Sequence, residues 1–195
     1  ETNNLVQQAA PLLADAIHHI GDPMVRHKGT IGGSLAHADP AADLPAAMLA
    51  LGAKMKIQGQ GGSRVVEADQ FFQGMFTTAV GDGEILTEIH IPATPGKQAY
   101  EKFPHPASRY AVVGVAVVAG PNGVRVAVTG AGEHAIRLTK LEGALSGQPL
   151  SAETIAAACQ NLISPDGLNS DLVASAEYRA HLVDVLAKRA LMRVM

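Results

Sequence analysis

The chain has 195 residues, 47% of them hydrophobic and 17% charged, with a formal net charge of −3. That is enough apolar material for one large domain or two small ones, and the absence of a basic run argues against a nucleic-acid partner. The longest apolar stretch, Ala111 to Ala119, is about half of what a membrane-spanning helix requires, so no membrane insertion is expected, and with no signal-peptide pattern at its start the chain is expected in the cytoplasm.

Cys159 is the only cysteine, which excludes an internal disulfide and any all-cysteine iron–sulfur or zinc site. The eight histidines are scattered and have no HExxH frame. No metal site is expected.

In chain order, Ala9, Leu13, Ala16, Ile17 and Ile20 recur at helical steps and predict one buried helix face, stopped by Gly21-Asp22-Pro23. A loop is expected from Met24 to Ala38. Asp39-Pro40 reads as the N-cap and first position of a second helix, which Gly52 closes. From Ala53 the period falls to two, predicting strands at Lys54–Ile57, Arg64–Val66 and Glu84–Ile91.

The stretch Ala93-Thr94-Pro95-Gly96-Lys97 is the expected boundary. Three antiparallel strands follow, at Ala99–Phe103, Tyr110–Val118 and Val124–Ala131, the last two joined by a hairpin at Pro121-Asn122-Gly123. Helices are expected at about 135–145, 151–162 and 174–195. The fold class is α+β, and residues 97–195 are expected to melt cooperatively on their own.

The chemistry concentrates at Thr30-Ile31-Gly32-Gly33-Ser34, followed by Ala38-Asp39-Pro40. Paired glycines permit close approach and positive φ, and their N–H groups, beside two hydroxyls, suit a diphosphate. A tight turn between two helices explains the same residues equally well. No G-x-G-x-x-G follows a strand and no Gly-Lys-Ser/Thr is present, so neither a Rossmann fingerprint nor a P-loop is read.

Arg26 through Ser34, continuing through Asp39-Pro40-Ala41-Ala42-Asp43-Leu44-Pro45, closely resembles the second FAD motif of the flavoprotein subunit of molybdenum hydroxylases, the carbon monoxide dehydrogenase and xanthine dehydrogenase family. The resemblance continues at Glu84-Ile85-Leu86-Thr87-Glu88, Tyr100-Glu101-Lys102-Phe103 and Ser175-Ala176-Glu177-Tyr178-Arg179.

The resemblance implies a second FAD-binding subdomain at about 1–95 and, at 96–195, the family's C-terminal domain, a three-stranded antiparallel sheet with helices. It implies that Thr30, Ile31, Gly32, Gly33 and Ser34 meet the FAD diphosphate and that His37 offers a side-chain bond. It places Asp39 among the cofactor-binding residues, Asp43 near the flavin's polar arm, Leu86 against the isoalloxazine, with Thr87 an equal match, and Lys102 as positive charge near the ring. The residues alone offer simpler roles: Asp39 a helix cap, Asp43 a first-turn carboxylate and Leu86 a strand core residue.

No residue is expected to catalyse hydroxylation. The implied function is to bind FAD and relay electrons from iron–sulfur clusters to an acceptor, beside a molybdopterin-binding large subunit and a 2Fe–2S small subunit. The family's first FAD motif, an Ala-Gly-Gly-His-Ser type loop, has no counterpart in these residues. The flavin site is therefore expected to be incomplete in this chain, which would bind FAD weakly, be inactive alone and self-associate. The alternative is a fragment that binds no flavin and serves only for docking.

Overall fold

The computed structural model describes residues 3–195. Five short helices open it: α1 (Asn4–Ala9), α2 (Pro11–His18), α3 (Pro23–Lys28), α4 (Ile31–His37) and α5 (Leu44–Leu51). The single first helix expected from periodicity is two. Pro11 has no N–H to continue the ladder and sits instead in the first turn of α2.

The expected loop at 24–38 is likewise helical. Asp22 caps α3 by accepting from the Met24 N–H at 2.7 Å, and Thr30 caps α4 by accepting from the Gly33 N–H at 3.0 Å. Asp39 does not begin a helix. Its carboxylate accepts from the Ala41 N–H at 2.8 Å to close a local turn. The helix starts at Leu44, with Pro45 in its first turn and Gly52 closing it in the left-handed region.

Next come β1 (Lys54–Gly59), β2 (Gly62–Glu67), α6 (Ala68–Phe71), β3 (Phe72–Gly74), β4 (Thr77–Thr78) and β5 (Ile85–His90). Strands β2, β1 and β5 form an antiparallel sheet in that order. One face sends Met55 and Ile57 into the core with Val66, Leu86 and Ile89 packed around them. The other carries the ion pairs Lys54–Glu67 (2.8 Å) and Lys56–Glu88 (2.5 Å).

The rest comprises β6 (Lys97–Pro104), β7 (Ala111–Gly120), β8 (Gly123–Thr129), β9 (Ile136–Arg137), α7 (Thr139–Leu145), α8 (Ala152–Ala158) and α9 (Ala176–Val194). The sheet runs β6-β7-β8-β9, so a two-residue fourth strand joins the three expected. The β7–β8 register ends on Gly120 opposite Gly123, with Pro121-Asn122 as the turn. The antiparallel sheets and mixed helices agree with the α+β class.

Both faces of this sheet are buried, which explains the unbroken apolar run of β7. Ala99, Val113, Val115, Val117, Val126 and Val128 point toward a core that includes Leu182, Val183, Leu186 and Leu191 of α9. Tyr100, Ala116, Val118 and Ala127 point the other way, into the core holding Leu12 and Leu13 of α2 and Met48 and Leu51 of α5. The two halves of the chain therefore share an apolar layer across the expected boundary.

Candidate flavin-binding site

Helix α4 puts the glycine pair in its first turn. Neither Gly32 nor Gly33 is among the positive-φ residues, so conformational freedom does not explain them. What they contribute is absence of bulk. A Cβ built on Gly32 would meet nothing within 4 Å, while one on Gly33 would lie 2.9 Å from Thr30 Oγ1 and disturb the cap.

The first N–H groups of a helix have no carbonyl within it to take them. At α4 the Ile31 and Gly32 amides are in that position, beside exposed Thr30 and Gly33. The Thr30 hydroxyl accepts from Gly33, which leaves its own proton for an outside acceptor. The arrangement suits the negative end of a diphosphate, and no side chain blocks its approach. On these grounds the residues present fit the phosphate portion of FAD.

At the far end of α4, Ala38 takes a left-handed backbone, and its carbonyl accepts from the N–H of Phe76, which is also left-handed at φ 52°. The exposed His37 ring lies 4.9 Å from that of Phe76. Leu86 sits on β5 opposite Ile57 and is half-buried against the first core; Thr87, the other match, is exposed and donates to the Lys56 carbonyl at 3.2 Å.

Asp43 and Lys102 come together, which the sequence reading did not anticipate. Lys102 Nζ donates to Asp43 Oδ2 at 2.8 Å and to the His19 carbonyl at 2.9 Å, and Tyr100 Oη donates to Asp43 Oδ1 at 2.6 Å. The Lys102 side chain is only 2% exposed and that of Asp43 5%. Burial pushes the Asp43 carboxyl above the ordinary carboxylate range although Lys102 and Tyr100 pull it down. Burial, with the neighbouring Asp43 charge, pushes the Tyr100 hydroxyl well above its usual value.

The charge expected to bias a flavin ring is therefore balanced within the protein. Asp43 likewise makes no side-chain cap to α5, because both its oxygens are engaged across the seam between the halves. Tyr100 reaches it only because Gly114 has no side chain: a Cβ there would sit 2.1 Å from the Tyr100 hydroxyl. Tyr100 entered the sequence analysis only as part of a resembling motif and Gly114 not at all, since nothing local marks their contact. Among the described residues no cluster of histidine, cysteine and carboxylates suits a metal ion, and no helix is long and apolar enough to cross a membrane.

Residues 1–94 match the family described as the FAD binding domain in molybdopterin dehydrogenase, and residues 98–194 match the CO dehydrogenase flavoprotein C-terminal domain. The nicotine 6-hydroxylase medium subunit of Paenarthrobacter nicotinovorans is 37% identical over 95% of this chain and 68% of its own length. This chain belongs to the FAD-binding medium-subunit family of the molybdenum hydroxylases.

Another medium-subunit relative, the carbon monoxide dehydrogenase medium chain of Hydrogenophaga pseudoflava, is 36% identical over 96% of this chain and 68% of its own length. The solved carbon monoxide dehydrogenase from that organism superposes with a TM-score of 0.90 at 35% identity, covering 99% of this chain and 70% of that one. The medium-subunit fold thus extends over both halves of the chain and includes the shared layer.

Proposed function

We propose that this chain holds FAD as the medium subunit of a molybdenum hydroxylase and serves to relay electrons through it. The observation that carries the reading is the unobstructed N-terminus of α4, in a chain of the FAD-binding medium-subunit family. In this reading the amides of Ile31 and Gly32, with the hydroxyls of Thr30 and Ser34, hold the diphosphate, while Gly33 keeps the approach clear of bulk and its N–H stays on the Thr30 cap. His37 and Leu86 line the path toward the ring. Asp39 shapes the turn that follows, and the buried Asp43–Lys102 pair fixes the segment on which the cofactor lies.

When bound, FAD supplies the redox chemistry, taking electrons that iron–sulfur clusters deliver and passing them to an acceptor. Those clusters belong to a 2Fe–2S small subunit, and substrate oxidation belongs to a molybdopterin-binding large subunit. The single cysteine of this chain, insufficient for an all-cysteine cluster, and the medium-subunit names of its relatives support that division of labour. The division of the chain near residue 95, into a subdomain bearing the phosphate site and a C-terminal domain, draws support from the two family matches, which meet there.

Gly32→Val separates binding from folding. A Cβ at Gly32 meets nothing, so stability is expected to move by no more than about 0.5 kcal/mol. The added side chain projects into the phosphate approach, and FAD affinity is expected to fall at least tenfold. Titration followed by flavin fluorescence and a thermal melt checks both. Unchanged FAD affinity in the variant would make α4 an ordinary helix between two turns.

A further inference from the structure

We infer that Arg179 is a positioning residue for the segment Pro40–Asp43, on which the proposed function lays the cofactor, acting from α9 through the ends of β7 and β8; this rests on the reading that the chain holds FAD. Arg179 is 5% exposed. Its Nη1 donates to the Val112 carbonyl at 2.6 Å and the Gly130 carbonyl at 2.9 Å, and its Nη2 donates to Asp171 Oδ2 at 2.7 Å. Its Nε is buried with no hydrogen-bond partner. Burying a guanidinium with one donor unmet is a poor way to gain stability, since well-packed apolar side chains often do as well or better. What Arg179 does supply is one planar nitrogen, Nη1, that ties the Val112 carbonyl of β7 to the Gly130 carbonyl just past β8, while Nη2, held by Asp171, fixes the plane of the guanidinium.

Those strand ends grip the segment before Asp43. The Gly130 N–H donates to the Pro40 carbonyl at 2.8 Å, and the Ala111 N–H donates to the Ala41 carbonyl at 3.1 Å. The Thr129 hydroxyl lies 2.9 Å from the Pro40 carbonyl and 2.7 Å from that of Ala42. Three successive carbonyls are thus held by residues 111, 129 and 130, all next to the two carbonyls that Arg179 ties together. The closeness is tight, because a Cβ on Gly130 would come within 2.6 Å of the Ala111 and Val112 oxygens. Arg179 therefore sets the height of the Pro40–Asp43 segment against the sheet, and with it the floor beside α4.

The test compares Arg179→Met, Arg179→Lys, Thr129→Val and Asp171→Asn in the full chain. Arg179→Met is expected to weaken FAD binding at least tenfold and to alter the visible circular dichroism of whatever flavin stays bound, both read well below the melting temperature. Thr129→Val, which removes the direct grip, reproduces that signature. Asp171→Asn leaves both carbonyl contacts in place and does not. Arg179→Lys, which keeps the charge but not the planar guanidinium, falls between and carries the test if the methionine variant does not fold.

Amide hydrogen exchange gives a readout independent of flavin. In the Arg179 variants the Ala111 and Gly130 amides are expected to exchange at least tenfold faster, while those of β1 and β5 hold their rates. Wild-type affinity and dichroism in a flavin-loaded Arg179→Met protein would overturn the inference and leave the FAD reading intact. Failure of these residues to take up FAD within a full-length medium subunit would refute the FAD reading instead. The exchange data then decide the inference alone, and unchanged protection at Ala111 and Gly130 would overturn it.

Discussion

Lys102→Met is expected to destabilise the protein by about 3–5 kcal/mol at pH 8, the usual cost of removing one partner of a buried ion pair. Lys102 contributes two of the interactions that lower the Asp43 pKa, its charge and its hydrogen bond. Without them desolvation dominates, and the carboxylate must be buried with only the Tyr100 hydroxyl to satisfy it. The methionine chain fills most of the lysine stem's volume, so little of the loss comes from packing.

The pH dependence follows from the direction of the shift. Asp43 already has a folded-state pKa above its ordinary value, so its protonated form favours the fold. That favourable contribution is complete below the unfolded pKa and lost as pH rises through the folded one. In Lys102→Met the folded pKa climbs further, and the loss grows over a wider range on the alkaline side. Chemical denaturation of both proteins at pH 5 and pH 8 should therefore give a smaller deficit at pH 5. Adding Asp43→Asn to Lys102→Met should recover part of the loss, because no buried charge then remains. Equal deficits at the two pH values, together with strict additivity in the double variant, would mean that Asp43 carries no uncompensated charge.

This cluster also shows where the sequence stopped being legible. Asp43 and Lys102 were each picked out by resemblance, but their contact joins residues 59 apart, and no periodicity encodes it. Gly114 reads as a weak point in an apolar strand, yet its lost side chain is what admits Tyr100. At α4 the error ran the other way. Two adjacent glycines argue against a helix by propensity, and the Thr30 cap together with packing of Leu35 at 0% exposure outweighs that. Asp39-Pro40 matched a helix-start rule, but Asp39 folds back on Ala41, and α5 begins at Leu44 with no side-chain cap from Asp43. The six longer strands were legible, since alternation and hairpin chemistry are local, but β3, β4 and β9, two or three residues each, were not.

Residues 97–195 on their own are expected to lose cooperative folding, contrary to what their strand and helix content suggests. The sheet made by β6, β7 and β8 has its outer face covered by α9. Its inner face, bearing Tyr100, Ala116, Val118 and Ala127, is covered by α2 and α5, which the fragment lacks. Tyr100 alone is completely buried; an aromatic of this size buries about 150–250 Å², and at about 25 cal/mol per Å² that is roughly 4–6 kcal/mol as an upper estimate. A domain of about 100 residues has only about 5–15 kcal/mol in total.

The polar links across the seam do not decide the matter. Lys102, Arg125 and Gln98 lose partners in the fragment but regain water, so their net contribution is small. The bared apolar face decides, and it should drive the fragment either to a broad transition or to association through that face. Calorimetry at several concentrations, with sedimentation at each, distinguishes these from a domain that stands alone. Mixing in residues 1–96 should restore a sharp transition by covering the same face. A sharp melt of monomeric 97–195, independent of concentration, would mean that α9 and the valine side of the sheet suffice and that the shared layer adds little.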